Sequence, residues 1–260
     1  MLQYEFMRNA LAAGFLIAIL CPIFGSFLVL KRFSMMGDTL SHSAFAGVAL
    51  GYFFGMNPSL ASLVYTLLAA LLIEYLRNRF KSYQEIVMAI VMTFNVGLAI
   101  ILASRGGSAN ITAFLFGSIL TVEIADLMLI AAVTLTSLVF IRLSYNQLLY
   151  ITFDEEGAEI SKIPVKRVNY LFMALTGAAV GVSIRVTGLL VISSILVLPM
   201  AAALNLRKGF KQTLYFAVLF GIITVMSGLV ISYYIDSAPG GTIALMSVAV
   251  LLASFLAKKR

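Results

Sequence analysis

Asp38 and His42 are the residues of this chain best placed to do chemistry. They stand four apart in Met36-Gly-Asp38-Thr-Leu-Ser-His42, and His42 is the only histidine among 260 residues. On a helix that spacing puts both side chains on one face, a turn apart. A carboxylate and an imidazole supply the O and N donors that suit a borderline divalent cation such as Zn²⁺. An ionisable group inside a membrane span costs at least about 2.5 kcal/mol at mid-membrane, which makes it a functional candidate. The same pair can also be read as a hydrogen-bonded lock near the aqueous boundary, with no ligand involved.

The rest of the helix supports a division of labour. Gly47, Gly51 and Gly55 form a GxxxGxxxG stripe, which lets a neighbouring helix pack backbone to backbone. At about 100° per residue the stripe is centred roughly 160° from the Asp38/His42 direction. One face then packs, and the other, with Met35, Asp38, His42, Phe45 and Ala49, is left to line a path. A second pair, Gly177 and Gly181, points to another close helix contact.

The longest polar stretch runs from Arg142 to Asn169. Within it, Thr152-Phe-Asp-Glu155 has the form of a capping box, predicting a short helix over Phe153–Ile160 with Pro164 as a stop. Phe153, Gly157 and Ile160 would share one side, and Asp154, Glu155 and Glu159 the other. Such a helix suits docking into a groove on a soluble partner; an ordinary solvated loop is the other reading. Glu74 and Arg77, three apart at a helix end, read as a surface ion pair. Glu123 and Asp126 open a helix, where carboxylates suit the dipole or attract cations. Asn95 reads as an interhelical hydrogen bond or part of a path. GxxxxGK[ST], HExxH and GxSxG are all missing, so the chain lacks the commonest ATP-binding loop, metalloprotease motif and serine-hydrolase motif.

These residues must be held by membrane-spanning helices. The chain is 62% hydrophobic and 11% charged, with a mean hydropathy of +1.04. Soluble domains carry roughly 25% charged residues, so a soluble enzyme is excluded. The alternating segments of about 10 residues typical of a barrel are absent, leaving an all-α polytopic membrane protein. One cysteine, Cys21, allows no internal disulfide. The uncharged run Ala10–Leu30 is too long for a signal h-region and reads as a retained first span. Uncharged runs place nine spans near 10–30, 39–56, 58–76, 86–104, 124–141, 168–184, 186–206, 212–235 and 239–257. If Gly106–Val122 is re-entrant, 15 of the 18 Lys and Arg share one side of the membrane. Cytoplasmic loops carry that excess, so the expected topology has the N-terminus outside and the C-terminus cytoplasmic. Residues 1–260 then form a single integral-membrane unit, with the stretch 142–169 cytoplasmic.

Several segments resemble the metal-transporting ABC permeases, the membrane subunits of bacterial zinc and manganese importers. The similarity lies in Phe27-Leu-Val-Leu-Lys-Arg-Phe-Ser-Met-Met-Gly-Asp38-Thr-Leu-Ser-His42, Gly47-Val-Ala-Leu-Gly51, and Phe153-Asp-Glu-Glu-Gly-Ala158. It continues in Thr187-Gly-Leu-Leu-Val-Ile-Ser-Ser-Ile-Leu-Val-Leu-Pro199 and Pro239-Gly-Gly-Thr242. The resemblance implies a type II importer-like permease in a bacterial plasma membrane, working as a homodimer. It further implies two cytoplasmic ATP-binding subunits docked on a coupling element (Phe153, Asp154, Glu155, Gly157, Ala158, Ile160) and an extracellular solute-binding protein. Asp38 and His42 match the family's metal-coordinating positions. The metal is cargo and no resident cofactor is implied; the chain is a transporter subunit, not an enzyme. A length near 260 and Leu198-Pro199-Met-Ala-Ala are more similar to the zinc branch. An Mn²⁺ or Fe²⁺ importer of the same family, or an ion-coupled secondary metal transporter, remains the alternative.

Overall fold

The computed structural model describes residues 4–33, 35–105, 112–118 and 122–257, and every regular element among them is helical. In chain order these are α1 (Glu5–Leu30), α2 (Met36–Phe53), α3 (Pro58–Arg79), a 3-10 turn (Lys81–Tyr83), α4 (Gln84–Arg105), α5 (Thr112–Phe116) and α6 (Ile124–Phe153). There follow α7 (Glu155–Ile160), α8 (Val165–Thr187), α9 (Leu189–Leu204), α10 (Phe210–Tyr234) and α11 (Pro239–Ala257). Seven of them, α1, α3, α4, α6, α8, α10 and α11, are by themselves long and apolar enough to cross a membrane.

The sequence led us to expect nine crossings, and the difference lies in α2 and α9. α9 has 16 residues, and the first half of α2 carries Asp38, Thr39, Ser41, His42 and Ser43. Both pack among several other helices, and a helix enclosed by protein need not be apolar all round. Most of the expected re-entrant segment, Gly106–Val122, lies outside the described residues. Within it, Ser118 donates its N–H to Arg185 O at 3.2 Å, placing this part against the α8–α9 junction.

α3 is clamped between two glycine faces. A Cβ at Gly47 would sit 2.7 Å from Ser62 Cα, and one at Gly51 would sit 2.8 Å from Pro58 Cα. On the α8 side, Gly177 and Gly181 leave 2.7 Å to Thr66 O and 2.9 Å to Leu63 Cα. Ser62 seals the crossing, its hydroxyl reaching Ala44 O and Gly181 O at 3.1 Å each. Gly55 does not belong to this stripe, contrary to the sequence expectation. α2 ends at Phe53, and Gly55 follows with φ +65° and nothing within 4 Å of where its Cβ would be. Its N–H donates to Tyr52 O while that of Met56 donates to Gly51 O at 2.8 Å. Gly55 thus ends the helix with a left-handed cap. Asn57 then caps α3, its side chain accepting from Ser59 N and Leu60 N.

Three further expectations are corrected. α6 does not stop near residue 141; it runs unbroken to Phe153, because Leu148 and Ile151 keep a buried stripe at helical spacing. The capping box at Thr152 is not formed. Thr152 Oγ1 donates back to Leu148 O at 2.6 Å, and Asp154 breaks the helix and caps α7 by accepting from Gly157 N at 2.8 Å. Nor is the Glu74–Arg77 pair on the surface. Its 2.8 Å contact is buried, because the α1–α2 link folds over the end of α3 and lays Phe33 against the guanidinium, 3.6 Å from ring centroid to Cζ.

The two glycines should respond differently to substitution. Gly51→Leu must push α3 backbone away, an overpacking cost of about 1–3 kcal/mol. Gly55→Asn meets no neighbour and keeps a residue tolerant of positive φ, so it should cost well under about 1 kcal/mol. Thermal unfolding of the detergent-purified variants should show a clear drop for the first and little for the second; equal drops would refute the assignment.

Candidate metal site and coupling element

α2 has its glycine face held by α3, and this fixes where the opposite face points. Met36, Gly37, Thr39, Leu40, Ser41 and Ser43 are buried, whereas Asp38 is exposed and His42 half-buried on the outside of the protomer. Gly37 brings α9 close: its Cβ would lie 3.2 Å from both Ser193 Cα and Cβ. Between the helices opens a cleft of about 310 Å³ lined by Met35, Asp38, Ser193, Ser194, Val197 and Leu198. His42 is one helical turn further along the same face. Among the described residues neither the Asp38 carboxylate nor the His42 imidazole has a hydrogen-bond partner, and no three His, Cys, Asp or Glu side chains cluster. Among the described residues the hydrogen-bonded lock is therefore not formed. The chain offers two strong donors, with Ser193 and Ser194 lining the same cleft as Asp38.

The sequence placed Ala49 on this open face, but α4 covers it: Ala49 packs with Ala46, Ala99 and Leu102. Asn95 belongs to the packing. Its amide donates to Ser43 Oγ and Val91 O, both at 2.8 Å, and its carbonyl accepts from Tyr65 OH at 2.7 Å. Glu123 and Asp126 also have a structural use. Arg185 binds Asp126 at 2.6 Å and Glu123 at 3.2 Å, with Ser59 Oγ at 3.4 Å. Arg185 lies 59 and 62 residues beyond Asp126 and Glu123 in the sequence, which gave no sign of this contact beyond Arg185 being one of few cations expected on that side.

The candidate coupling element is organised differently from the sequence reading. Phe153 is the last residue of α6 and 66% exposed, and Ile160 ends α7 at 82% exposed. Ala158 is buried, and Gly157 is pressed against the Asp154 carboxylate, leaving no room for a side chain. The exposed apolar face thus consists of Phe153 and Ile160, not Gly157. Glu155 is tied inward: Asn169 Nδ2 donates to its Oε1 at 3.0 Å, and Lys31 Nζ donates to Asn169 Oδ1 at 2.8 Å. Burial pushes the Lys31 ammonium down to about 8, against the pull of Glu155 and Glu74. Lys31 caps the end of α1 and is followed by the link into α2. A polar chain therefore joins α7 to the end of α1, from which the backbone leads on to α2. Its partners are separated by 138 residues in sequence, beyond the reach of any local pattern.

Known proteins are similar along almost the whole chain. A model of the family described as the ABC 3 transport family matches residues 3–258. A probable metal transport system membrane protein of Treponema pallidum is 45% identical, covering 97% of this chain and 95% of that protein. The manganese transport system membrane protein MntC of Halalkalibacterium halodurans is 30% identical, covering 100% and 90%. The high-affinity zinc uptake system membrane protein ZnuB of Haemophilus influenzae is 27% identical, covering 99% and 100%. Among solved structures, PsaBC from Streptococcus pneumoniae in complex with Fab superposes with a TM-score of 0.86 at 30% identity, covering 97% of this chain and 92% of that one. With helices, cleft and relatives in agreement, the chain belongs to the ABC 3 transport family and is the membrane permease of a metal-transporting ABC importer.

Proposed function

We propose that this permease moves Zn²⁺ into the cytoplasm along a path built on Asp38 and His42. The observation that carries this reading is the pair itself: two ionisable side chains stand on the outer face of an otherwise packed helix, without a partner among the described residues. In lipid they would be costly; facing a second copy they would be enclosed. Doubled in a homodimer, they supply four N and O donors, the number Zn²⁺ favours. Mn²⁺ or Fe²⁺ is the second reading, and it has equal support. The Ser193 and Ser194 oxygens beside Asp38 suit harder cations, and relatives are named for manganese as well as zinc transport. Family membership sets aside an ion-coupled carrier.

The remaining assembly follows from the two ends of the bundle. The Lys31 end carries the basic loops and is placed in the cytoplasm by the positive-inside rule, with the N-terminus outside and α2 and α9 adding two crossings within the bundle. Two ATP-binding subunits then dock on α7 through Phe153 and Ile160. An extracellular solute-binding protein delivers the metal at the Arg185 end.

Transport needs a site strong enough to capture the ion and weak enough to release it. His42→Ala and Asp38→Asn should each lower metal uptake by about tenfold or more, since even outer-shell partners of a metal ligand are worth about 10–100-fold. His42→Asp replaces nitrogen by hard oxygen and should shift preference toward Mn²⁺. Cellular Zn²⁺ and Mn²⁺ accumulation, measured beside membrane levels of each variant, checks this; full uptake by a folded His42→Ala protein removes the pair from the path.

A separate expectation concerns docking. Phe153→Asp should release the ATPase while the permease stays folded in the membrane. Asn169→Leu cuts the Lys31–Glu155 link but leaves the docking face intact, so the ATPase should remain bound while less metal moves per ATP hydrolysed. Co-purification of the ATPase, together with paired transport and hydrolysis rates in proteoliposomes, distinguishes the two effects. An ATPase that stays bound and coupled to the Phe153→Asp variant contradicts the docking surface.

A further inference from the structure

A second cleft lies on the perimeter of the bundle, away from α2, where α6 and α10 both pack on α1. Its volume is about 560 Å³, and Ile19, Ile23, Leu138, Ile141, Leu214 and Val218 form its apolar wall. The rim is different in kind. Arg142 and Lys211 stand there with the Tyr145 and Tyr215 rings, and no carboxylate lines the cleft. Both cations are exposed, and among the described residues neither makes an ion pair. Tyr145 and Phe210, with ring centroids 6.1 Å apart, close the cleft beyond the cations.

Position along the helices gives this arrangement its meaning. From Glu123, at the start of α6, to Arg142 is about 28 Å at a rise of about 1.5 Å per residue, close to the ~30 Å hydrocarbon thickness of a bilayer. Arg142 therefore lies at headgroup depth, as does Lys211 in the first turn of α10. Leu138, Leu214 and Val218 lie one or two turns deeper. Cations at the headgroup plane above an aliphatic slot are the complement of one molecule class, an anionic phospholipid with its phosphate at the rim and an acyl chain in the slot. We propose that the α1–α6–α10 cleft is a binding site for an anionic phospholipid, held by Arg142 and Lys211. Its occupant links α6, the helix that leads into α7, to α10. The assignment does not depend on the transported metal.

Native mass spectrometry of the purified permease, titrated with equal amounts of phosphatidylglycerol and phosphatidylethanolamine, tests the site. The native protein should retain phosphatidylglycerol preferentially, and excess inorganic phosphate should not displace it. Arg142→Gln with Lys211→Gln should weaken that preference by about tenfold or more. Lys211→Gln alone, at an exposed first-turn position that leaves the core untouched, should weaken it by a smaller factor. Leu138→Trp, which fills the slot and keeps both cations, should reduce retention of both lipids. Equal retention of phosphatidylglycerol by the native protein and the double variant would overturn the proposal, as would displacement by phosphate alone. Loss of self-association in Leu138→Trp with lipid retention unchanged would assign the cleft to a second copy of this chain and overturn it as well.

Discussion

Backbone contact between α3 and the glycine faces of α2 and α8 is the constraint on which the arrangement of the site depends. Without Cβ atoms at Gly47 and Gly51, α2 lies against Ser62 and Pro58 closely enough that its rotation about its own axis has no freedom. That rotation decides which residues face outward. A turn of about 100° would exchange Asp38 for a neighbour such as Thr39. The buried Ser62 hydroxyl, reaching one carbonyl on each flanking helix, adds a polar bond in a region where water cannot compete for it. The orientation of the candidate metal ligands is thus set by small residues on the other side of the helix.

The same economy shows in the treatment of charge. The Asp126–Arg185–Glu123 cluster holds α6 to α8 at one end of the bundle, and Glu74–Arg77 and Lys31–Asn169–Glu155 hold the other. Breaking one member of a buried pair such as Glu74–Arg77 costs about 3–5 kcal/mol because it strands the other charge. These groups therefore act as clasps. Asp38 and His42 stand out by contrast, since among the described residues neither has an ion-pair or hydrogen-bond partner.

What could be read from the sequence was what is local. Asp38 and His42 on one face, and Gly47 and Gly51 on the opposite one, follow from helical periodicity over a dozen residues, and the structure keeps both faces. Gly55 was misread because periodicity alone cannot tell that α2 ends at Phe53. The continuation of α6 past Arg142 was missed for a related reason. Apolarity marks where a helix lies in lipid, while hydrogen bonding and the buried positions of Leu148 and Ile151 decide where it ends. The partners of Arg185 and Lys31, and the burial of the Glu74–Arg77 pair under Phe33, were out of reach, because each depends on how distant segments fold together. Ala49, expected to face the path, is covered by α4 for the same reason.

The unbroken length of α6 has a mechanical consequence. At its N-terminal end Glu123 and Asp126 grip Arg185 of α8, and at its C-terminal end only Asp154 separates it from α7, which leads through a short turn back into α8. α6, α7 and α8 therefore close into a loop of stiff members joined at both corners. A load applied to α7 is therefore shared between α6 and α8, and the clasp at Arg185 ties the far ends of the same two helices together.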